Sequence, residues 1–135
     1  MKALIDTNLI IDIACNRQPF IEEAKAIFCR MDGQKLQGYV SASAITDIFY
    51  LLRKSKGEEP AFEFLKALLK VVHVLEVNEK TIQAALTSRR KDFEDAVQIE
   101  AAAQNGIDII ITRDGKGFKD APIPVFTPRE YLERL

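Results

Sequence analysis

Carboxylates follow the two most apolar strand-like segments of the chain. Asp6 comes directly after residues 3–5, and Asp114 comes shortly after residues 109–111. Asp95 lies in the helix-like segment that precedes the second of these strands. If the three side chains converge, their repulsion is large, because two charges about 4 Å apart cost roughly 4 kcal/mol at an effective dielectric constant of about 20. A folded protein keeps such a cluster by protonating part of it or by holding a hard cation.

The donor types favour Mg²⁺ or Mn²⁺ over zinc, because the cluster offers oxygen ligands without histidine. The only histidine, His73, falls in the apolar run 71–75 and is predicted to be buried in a strand, which argues against a histidine-activated nucleophile. Cys15 and Cys29 lie in apolar helical patterns and are predicted to be reduced core thiols. The sequence lacks the four closely spaced ligands of a closed zinc site.

Each carboxylate taken alone also has a structural explanation. Asp6 can cap a helix, and Asp114 can belong to an Asp-Gly turn. Asp92 can be the N-cap of the helix that contains Asp95, and this alternative stays open beside a role at the metal. Asp47 lies opposite the apolar stripe of its helix, so a solvated surface position is an equal alternative. The joint placement of the carboxylates, more than any single one, indicates a site.

Asp95 is the carboxylate that is hardest to explain as a surface residue. At about 100° per residue it shares a helix face with Ile99 and Ala102, which is a packing face. We therefore predict that Asp95 points inward from a helix packed beside the two strands.

The order of elements predicts an α/β protein. Short apolar strands separated by helices are typical of a parallel sheet with helices on both faces. In such sheets, sites lie beyond the carboxyl ends of the strands. Phe62 and Leu69 are predicted to face inward from one of the helices. The strands are predicted at residues 3–5, 38–41, 71–77, 107–112 and 124–126, and the helices at 7–15, 19–32, 43–54, 60–70, 79–87, 92–105 and from 128 onward.

The length and composition are those of one globular domain over residues 1–135. With 19 Lys and Arg against 20 Asp and Glu, the net charge is −1, so nucleic-acid binding would need a local basic patch. Arg89, Arg90 and Lys91 form such a run directly before the acidic helix. No apolar run approaches the roughly 18 residues of a membrane span. Asp6 interrupts the first apolar stretch too early for a signal peptide, so we expect a cytoplasmic protein without a membrane partner.

Three segments resemble the PIN domain, the metal-dependent ribonuclease fold of VapC-type toxins and related proteins. They are Leu-Ile-Asp-Thr-Asn at 4–8, Asp-Phe-Glu-Asp-Ala at 92–96 and Ile-Thr-Arg-Asp at 111–114. The resemblance implies a single PIN-like α/β domain whose parallel sheet of about five strands has the order 3-2-1-4-5. It places the strands that precede Asp6 and Asp114 side by side.

The resemblance also implies that Asp6, Asp95 and Asp114 bind Mg²⁺, for which Mn²⁺ can substitute, as catalytic carboxylates. Family members often carry glutamate in the helix after the second strand, where this chain has the shorter Asp47, which we include among the catalytic candidates. A metal-activated water would then hydrolyse an RNA phosphodiester bond. Hydrogen bonds to the carboxylates or to phosphate are predicted for Asp92, Thr7, Asn8, Thr112 and Arg113, and RNA contacts for Arg89, Arg90 and Lys91.

The family resemblance implies that the chain is an endoribonuclease. One role of that kind is the toxin of a toxin–antitoxin pair, and the resemblance then implies an antitoxin protein as partner and a homodimer as assembly. Two other functions stay open. A non-catalytic PIN-like module would bind RNA or regulate without cleaving. A Mg²⁺-dependent phosphatase with an aspartyl-phosphate fits less well, because Asn8 stands where the haloacid-dehalogenase pattern has a second aspartate. Cleavage of a mixed RNA pool with Mg²⁺ or Mn²⁺ distinguishes these functions.

Overall fold

A parallel sheet positions the carboxylates, as predicted. The computed structural model describes residues 1–134. Their strands are β1 (Lys2–Ile5), β2 (Gln37–Ser41), β3 (Val72–Leu75), β4 (Ile109–Ile111) and β5 (Val125–Phe126). The strand order is β3-β2-β1-β4-β5, and every neighbouring pair is parallel. The α/β class and the strand order 3-2-1-4-5 are therefore confirmed.

Helices connect the strands, and most of them begin where a polar side chain caps the first turn. Asp6, Ser41, Asn78, Asp92 and Thr127 each accept a hydrogen bond from a backbone amide of the helix that follows. Within residues 1–134 the helices are α1 (Thr7–Ala14), α2 (Ile21–Asp32), α3 (Ala42–Lys56), α4 (Glu58–Leu68), α5 (Glu79–Ser88), α6 (Phe93–Gln104) and α7 (Pro128–Glu133).

The register of β1 and β4 fixes where the chain leaves the sheet. Ile5 is paired with Ile111, and the backbone amide of Asp6 donates to the carbonyl of Ile111 at 3.0 Å. Asp6 and Thr112 therefore emerge beside each other from the carboxyl ends of two neighbouring strands. This is the place where the order of a doubly wound sheet changes direction and where ligands bind in such folds.

Alternating residues of the central strands fill a core on each face of the sheet. Ala3 and Ile5 of β1 belong to the larger buried cluster, whereas Leu4 belongs to the cluster on the other face with Ile99 and Phe118. Burial of each leucine, isoleucine or phenylalanine side chain among them stabilises the fold by about 1.5–3 kcal/mol. The central strands are therefore held from both sides, and the residues at their ends sit on a rigid support.

The prediction that His73 is buried is wrong. β3 ends at Leu75, not at residue 77, and it is an edge strand, so its side chains are covered less completely than those of the central strands. His73 is exposed and its ring lies 5.2 Å from that of Tyr39, its partner on β2.

Four other apolar positions are less buried than predicted. Cys29 is exposed on α2 and Cys15 is only half-buried, and both are free thiols. Phe62 and Leu69 were expected to face inward, but they are 43% and 50% exposed. Within residues 1–134, no helix is long and apolar enough to cross a membrane.

Candidate active site

Asp6 is the buried centre of the site. The chain turns at this residue from β1 into α1, so its side chain caps the helix while its backbone continues the sheet. Its Oδ1 accepts hydrogen bonds from the Thr7 amide at 2.7 Å and from Gln98 Nε2 at 3.1 Å. Its Oδ2 accepts one from Thr112 Oγ1 at 2.7 Å. These donors hold the carboxylate in one orientation, with one acceptor position of Oδ2 left open.

Thr112 connects Asp6 to Asp114. The Thr112 hydroxyl donates to Asp6 and accepts a hydrogen bond from the backbone amide of Asp114 at 3.0 Å. Thr112 is fully buried, whereas Asp114 is exposed. The Asp6 carboxylate and the backbone of Asp114 are thus joined through one buried hydroxyl group.

The first turn of α6 brings a third carboxylate to the same region. Asp92 is the N-cap, and its Oδ1 accepts the amide of Asp95 at 3.1 Å. Asp95 is half-buried and lies one turn further in. The structure therefore shows the capping role for Asp92, the alternative that the sequence left open.

Gly117, in the loop after β4, lies directly against the side chain of Asp95. A Cβ atom at residue 117 would collide with Asp95 Oδ2 and would lie 3.7 Å from Asp114 Oδ2. The loop therefore approaches both carboxylates only because residue 117 has no side chain. Sequence reasoning missed this residue, and its signal was the short Gly-Lys-Gly segment directly after Asp114.

Asp95, Asp114 and Gly117 line one cavity of about 490 Å³, and the buried Asp6 lies outside its lining. Its walls come from the turn before α6 and from the loop after β4, so both acidic segments face the same space. Positive side chains of the same two segments complete it. The lining residues are Arg90, Lys91, Asp92, Asp95, Asp114, Lys116 and Gly117.

The electrostatics of the site follow from burial and from crowding of negative charge. Burial raises the pKa of Asp6, and the hydrogen bonds from Thr112 and Gln98 oppose this. The pKa of Asp95 is raised to about 7, first by burial and then by the negative charges of neighbouring carboxylates, among them Asp92, Asp6 and Asp114. Without metal, the negative charges of this site therefore destabilise the folded state.

Glu94 is an acidic residue of this region that sequence reasoning missed. Its Oε1 accepts a hydrogen bond from Thr7 Oγ1 at 3.3 Å, which places it beside the residue that follows Asp6. Its pKa is raised by partial burial, then by the charge of Asp47, and then by that of Asp6. Asp47 is exposed on α3, and its charge reaches the site from there. The signal for Glu94 was its place between two acidic positions of the segment 92–95.

The predicted arginines lie near the site but are engaged elsewhere. Arg90 donates through Nη1 to the carbonyl of Lys119 at 2.7 Å and through Nη2 to that of Asp120 at 3.2 Å. Arg113 binds Asp12 with two nitrogens. Arg89 ends α5 in a left-handed conformation and lines a different cavity. Of the predicted basic run, Lys91 is the residue left to face the acidic cavity with a free ammonium group.

The donor set suits a hard divalent cation. Within residues 1–134, the carboxylates of Asp95 and Asp114 accept no hydrogen bond, so their oxygens are available as ligands. In the same range, Asn8 Oδ1 is buried without a hydrogen-bond partner. All of these donors are oxygen atoms, which Mg²⁺ and Mn²⁺ prefer. In the described part of the chain, no three acidic, histidine or cysteine side chains are close enough together to enclose an ion.

The raised pKa of Asp95 predicts a specific pH dependence of stability. Between about pH 4 and about pH 7 the folded protein holds a proton on Asp95 that the unfolded chain has released. We therefore expect the metal-free protein to lose stability as the pH rises through this window, with Asp6 and Glu94 acting in the same direction.

Thermal unfolding in EDTA at several pH values measures this effect. The Asp95→Asn protein should show a flatter profile and a higher melting temperature at neutral pH than the wild type, because asparagine carries no charge. Added Mg²⁺ should raise the melting temperature of the wild type more than that of the variant. Parallel pH profiles for the two proteins would contradict the prediction.

Comparisons with known proteins identify the family and support the fold. The family model described as a PIN domain matches residues 2–116. No curated protein sequence matches the chain significantly. Among solved structures, a toxin–antitoxin complex from Klebsiella pneumoniae is 22% identical, with a TM-score of 0.70 over 93% of this chain and 97% of that one.

Two further structures share the fold. A VapC toxin from Mycobacterium tuberculosis, described as cleaving the sarcin-ricin loop, is 20% identical, with a TM-score of 0.68 over 85% of this chain and 92% of that one. VapBC-1 from nontypeable Haemophilus influenzae is 18% identical, with a TM-score of 0.71 over 96% and 99% of the two chains. At these identities the likeness establishes the fold.

Proposed function

Because the chain belongs to the PIN domain family, we propose that it is a Mg²⁺- or Mn²⁺-dependent endoribonuclease. Two observations support the proposal: the Thr112 hydroxyl joins the Asp6 carboxylate to the backbone amide of Asp114, and Gly117 lies against the side chains of Asp95 and Asp114. The negative charges of Asp6 and Asp114 contribute to the raised pKa of Asp95, a divalent cation would offset this repulsion, and all three residues offer oxygen ligands.

Each carboxylate has a distinct part in the proposal. A bound Mg²⁺ or Mn²⁺ would supply an activated water and neutralise charge on the phosphate. Asp6, fixed by its three hydrogen-bond donors, orients the site. Asp95 and Asp114 both line the cavity, and within residues 1–134 their carboxylate oxygens accept no hydrogen bond, so they would be direct ligands. Asp47 contributes negative charge from the surface side.

Lys91 and Lys116 are the residues that we assign to the RNA phosphates. Both are exposed and both line the cavity that contains Asp95 and Asp114. An ammonium group at this place attracts the backbone of a nucleic acid without reading its sequence. Arg90 keeps the cavity in shape, since its guanidinium joins the turn before α6 to the loop after β4.

The decisive experiment is an assay with a mixed RNA pool. We expect purified protein to produce internal cuts with Mg²⁺ or Mn²⁺, and EDTA to abolish them. RNA binding and Mn²⁺ binding without any cleavage would favour a non-catalytic module instead. Release of phosphate from small phosphate esters, without cleavage of RNA, would favour a phosphatase.

The role of the two lysines can be measured through salt dependence. We expect the Lys91→Ala/Lys116→Ala protein to bind single-stranded RNA more weakly, with a log–log salt slope smaller by about 1.4, because each lost phosphate contact contributes about 0.7. Its Mn²⁺ affinity should stay within about twofold of the wild type, since no carboxylate is removed.

A matched control is the Lys25→Ala/Lys35→Ala protein. These lysines are also exposed, and Lys35 lines a cavity at the opposite end of the strands, beside Met1. Its salt slope should equal that of the wild type. If both double variants reduce the slope equally, the positive charge near the acidic cavity has no special role.

We also propose that the chain is the toxin of a toxin–antitoxin pair, with an antitoxin protein as partner. The structures that share its fold include toxin–antitoxin complexes, some of them bound to DNA. Its own α3 and α4 expose Tyr50, Leu51 and Phe62, which are 58%, 52% and 43% accessible and could pack against such a partner or a second copy of the chain. Growth arrest on expression, relieved by co-expression of a neighbouring gene, tests the toxin role.

A further inference from the structure

A buried ion pair lies next to the site without belonging to the carboxylate cluster. Asp12 is fully buried on α1, and both of its carboxylate oxygens are used by Arg113. Arg113 Nε donates to Oδ2 at 2.7 Å, and Nη2 donates to Oδ1 at 3.0 Å. A two-point contact between a planar guanidinium and a carboxylate fixes direction as well as distance.

The Arg113 side chain is held from a second side by an aromatic ring. Its Cζ lies 3.8 Å from the centre of the Phe20 ring, which precedes α2. The guanidinium is therefore confined between Asp12 and Phe20, with only a quarter of its side chain accessible. A side chain restrained in this way also restrains the backbone that carries it.

The pair joins the two segments that bring Asp6 and Asp114 together. Asp12 belongs to the helix that Asp6 caps, and Arg113 directly precedes Asp114 in the chain. Thr112, which directly precedes Arg113, also connects this segment to Asp6 through its hydroxyl group. The backbone that presents Asp114 is thus anchored to one rigid element, α1, at two neighbouring residues.

We propose that Asp12 and Arg113 are positioning residues that hold Asp114 at the correct place relative to Asp6. The inference rests on the proposed nuclease function, because it assigns a purpose to the position of Asp114. In this proposal Arg113 acts through the backbone of Asp114, since Asp12 takes two of its three guanidinium nitrogens. Partners that orient metal-binding side chains typically affect metal affinity or activity by about 10- to 100-fold.

A merely stabilising ion pair makes a different prediction. Replacing a buried ion pair by apolar residues of similar volume often leaves stability unchanged or increases it, whereas removing one partner alone is strongly destabilising. The Asp12→Leu/Arg113→Met protein therefore removes the directional contact and restores packing. It also removes one charge of each sign, so the net charge of the chain stays the same.

The experiment compares this double variant with the wild type in four measurements. These are the melting temperature, hydrogen exchange of the Asp114 and Phe118 amides without metal, the dissociation constant for Mn²⁺, and kcat and KM for RNA cleavage. We expect a retained melting temperature, exchange of both amides faster by about 10-fold, and Mn²⁺ affinity and kcat lower by about 10- to 100-fold, with a smaller change in KM.

The control breaks an ion pair of the same chemistry elsewhere. Arg129 Nε binds Glu23 at 2.8 Å on the surface, so the Glu23→Gln protein should match the wild type in all four measurements. If the double variant does not fold, Arg113→Lys serves in its place, because lysine keeps the charge but cannot make the two-point contact. The same changes in exchange and kcat are expected for it.

The outcomes separate this inference from the proposed function. Wild-type levels of amide exchange, Mn²⁺ affinity and kcat in a folded variant would show that the pair only stabilises the fold, and would overturn the inference. A wild-type protein that neither cleaves RNA nor binds Mn²⁺ would overturn the proposed function. Even then, the exchange of the Asp114 amide, which needs no metal, decides whether the pair holds this segment.

Discussion

The Asp6→Asn protein is expected to lose metal-dependent RNA cleavage almost completely while keeping its fold. A metal ion contributes several kcal/mol to transition-state stabilisation. Because each 1.36 kcal/mol is a factor of ten in rate, we expect a loss of about 10³-fold or more. Asparagine has nearly the same volume as aspartate, so the effect comes from the lost charge and not from a cavity.

The hydrogen bonds of Asp6 explain why the fold should survive. An asparagine oxygen in place of Oδ1 still accepts from the Thr7 amide and from Gln98. Its amide group then takes the place of Oδ2, and the Thr112 hydroxyl must turn to another acceptor. This local cost is offset because burial raises the pKa of Asp6, which means that its charge destabilises the metal-free fold at neutral pH.

Cleavage rates and melting temperatures in EDTA and in Mn²⁺ check this prediction. Without metal, the melting temperature of the variant should be equal to or higher than that of the wild type. With Mn²⁺, it should rise less, because the site has lost a ligand. The Asp32→Asn protein is the control, since Asp32 is exposed at the end of α2. Wild-type cleavage by the Asp6→Asn protein would remove the basis of the proposed metal site.

The parallel α/β class, and carboxylates at the ends of strands, could be predicted from local sequence, whereas the strand order 3-2-1-4-5 was predicted from the resemblance to the PIN domain. The run of three isoleucines in β4 is apolar at every position because both faces of a central parallel strand are buried. Asp6 and Asp114 follow central strands, and parallel strands end at the same edge of the sheet. The hydrophobic pattern predicts the strands and their parallel direction, but it does not determine which strands are neighbours, and that placement of β1 beside β4 was implied by the family resemblance.

Side-chain pairing across long distances in sequence could not be predicted. Asp12 and Arg113 are separated by 101 positions, and nothing near either residue indicates the other. Arg90 is predicted to contact RNA because it stands in a basic run, and its hydrogen bonds to the backbone carbonyls of Lys119 and Asp120 have no sequence signature that could have been read. A carbonyl is present at every residue, so only the folded chain shows which ones an arginine meets.

The apolar pattern also could not predict the surroundings of some single residues. His73 stands among valines, yet its strand is at the edge of the sheet. Gly117 was missed, because its contact with Asp95 depends on how the loop after β4 lies against α6. In both cases the missing information was which other element lies next to the residue.

Replacement by serine distinguishes the roles of Asp92 and Asp95 at the start of α6, because serine can cap a helix but cannot supply a carboxylate ligand. We expect Asp95→Ser to reduce cleavage by about 100-fold or more, since serine cannot replace a charged ligand of a divalent cation. We expect Asp92→Ser to keep its stability, because serine caps a helix nearly as well as aspartate, whereas alanine would cost about 1 kcal/mol.

The structure gives Asp92→Ser one further expected effect. The charge of Asp92 is, after burial, the largest cause of the raised pKa of Asp95. Removing it should lower that pKa, so Mn²⁺ binding and cleavage should reach their plateau at a lower pH than in the wild type. The maximal rate at saturating Mn²⁺ should change by less than about 10-fold, the lower limit for partners that act through a ligand.

Cleavage rates across pH and melting temperatures of both serine variants test these expectations together. The capping hydrogen bond uses the backbone amide of Asp95, not its side chain, so Asp95→Ser leaves the cap in place and cannot act by unravelling the helix. Full activity of Asp95→Ser would exclude the first turn of α6 from the active site. Complete loss of activity in Asp92→Ser with an unchanged melting temperature would instead make Asp92 itself a ligand, because only its charge would have been removed.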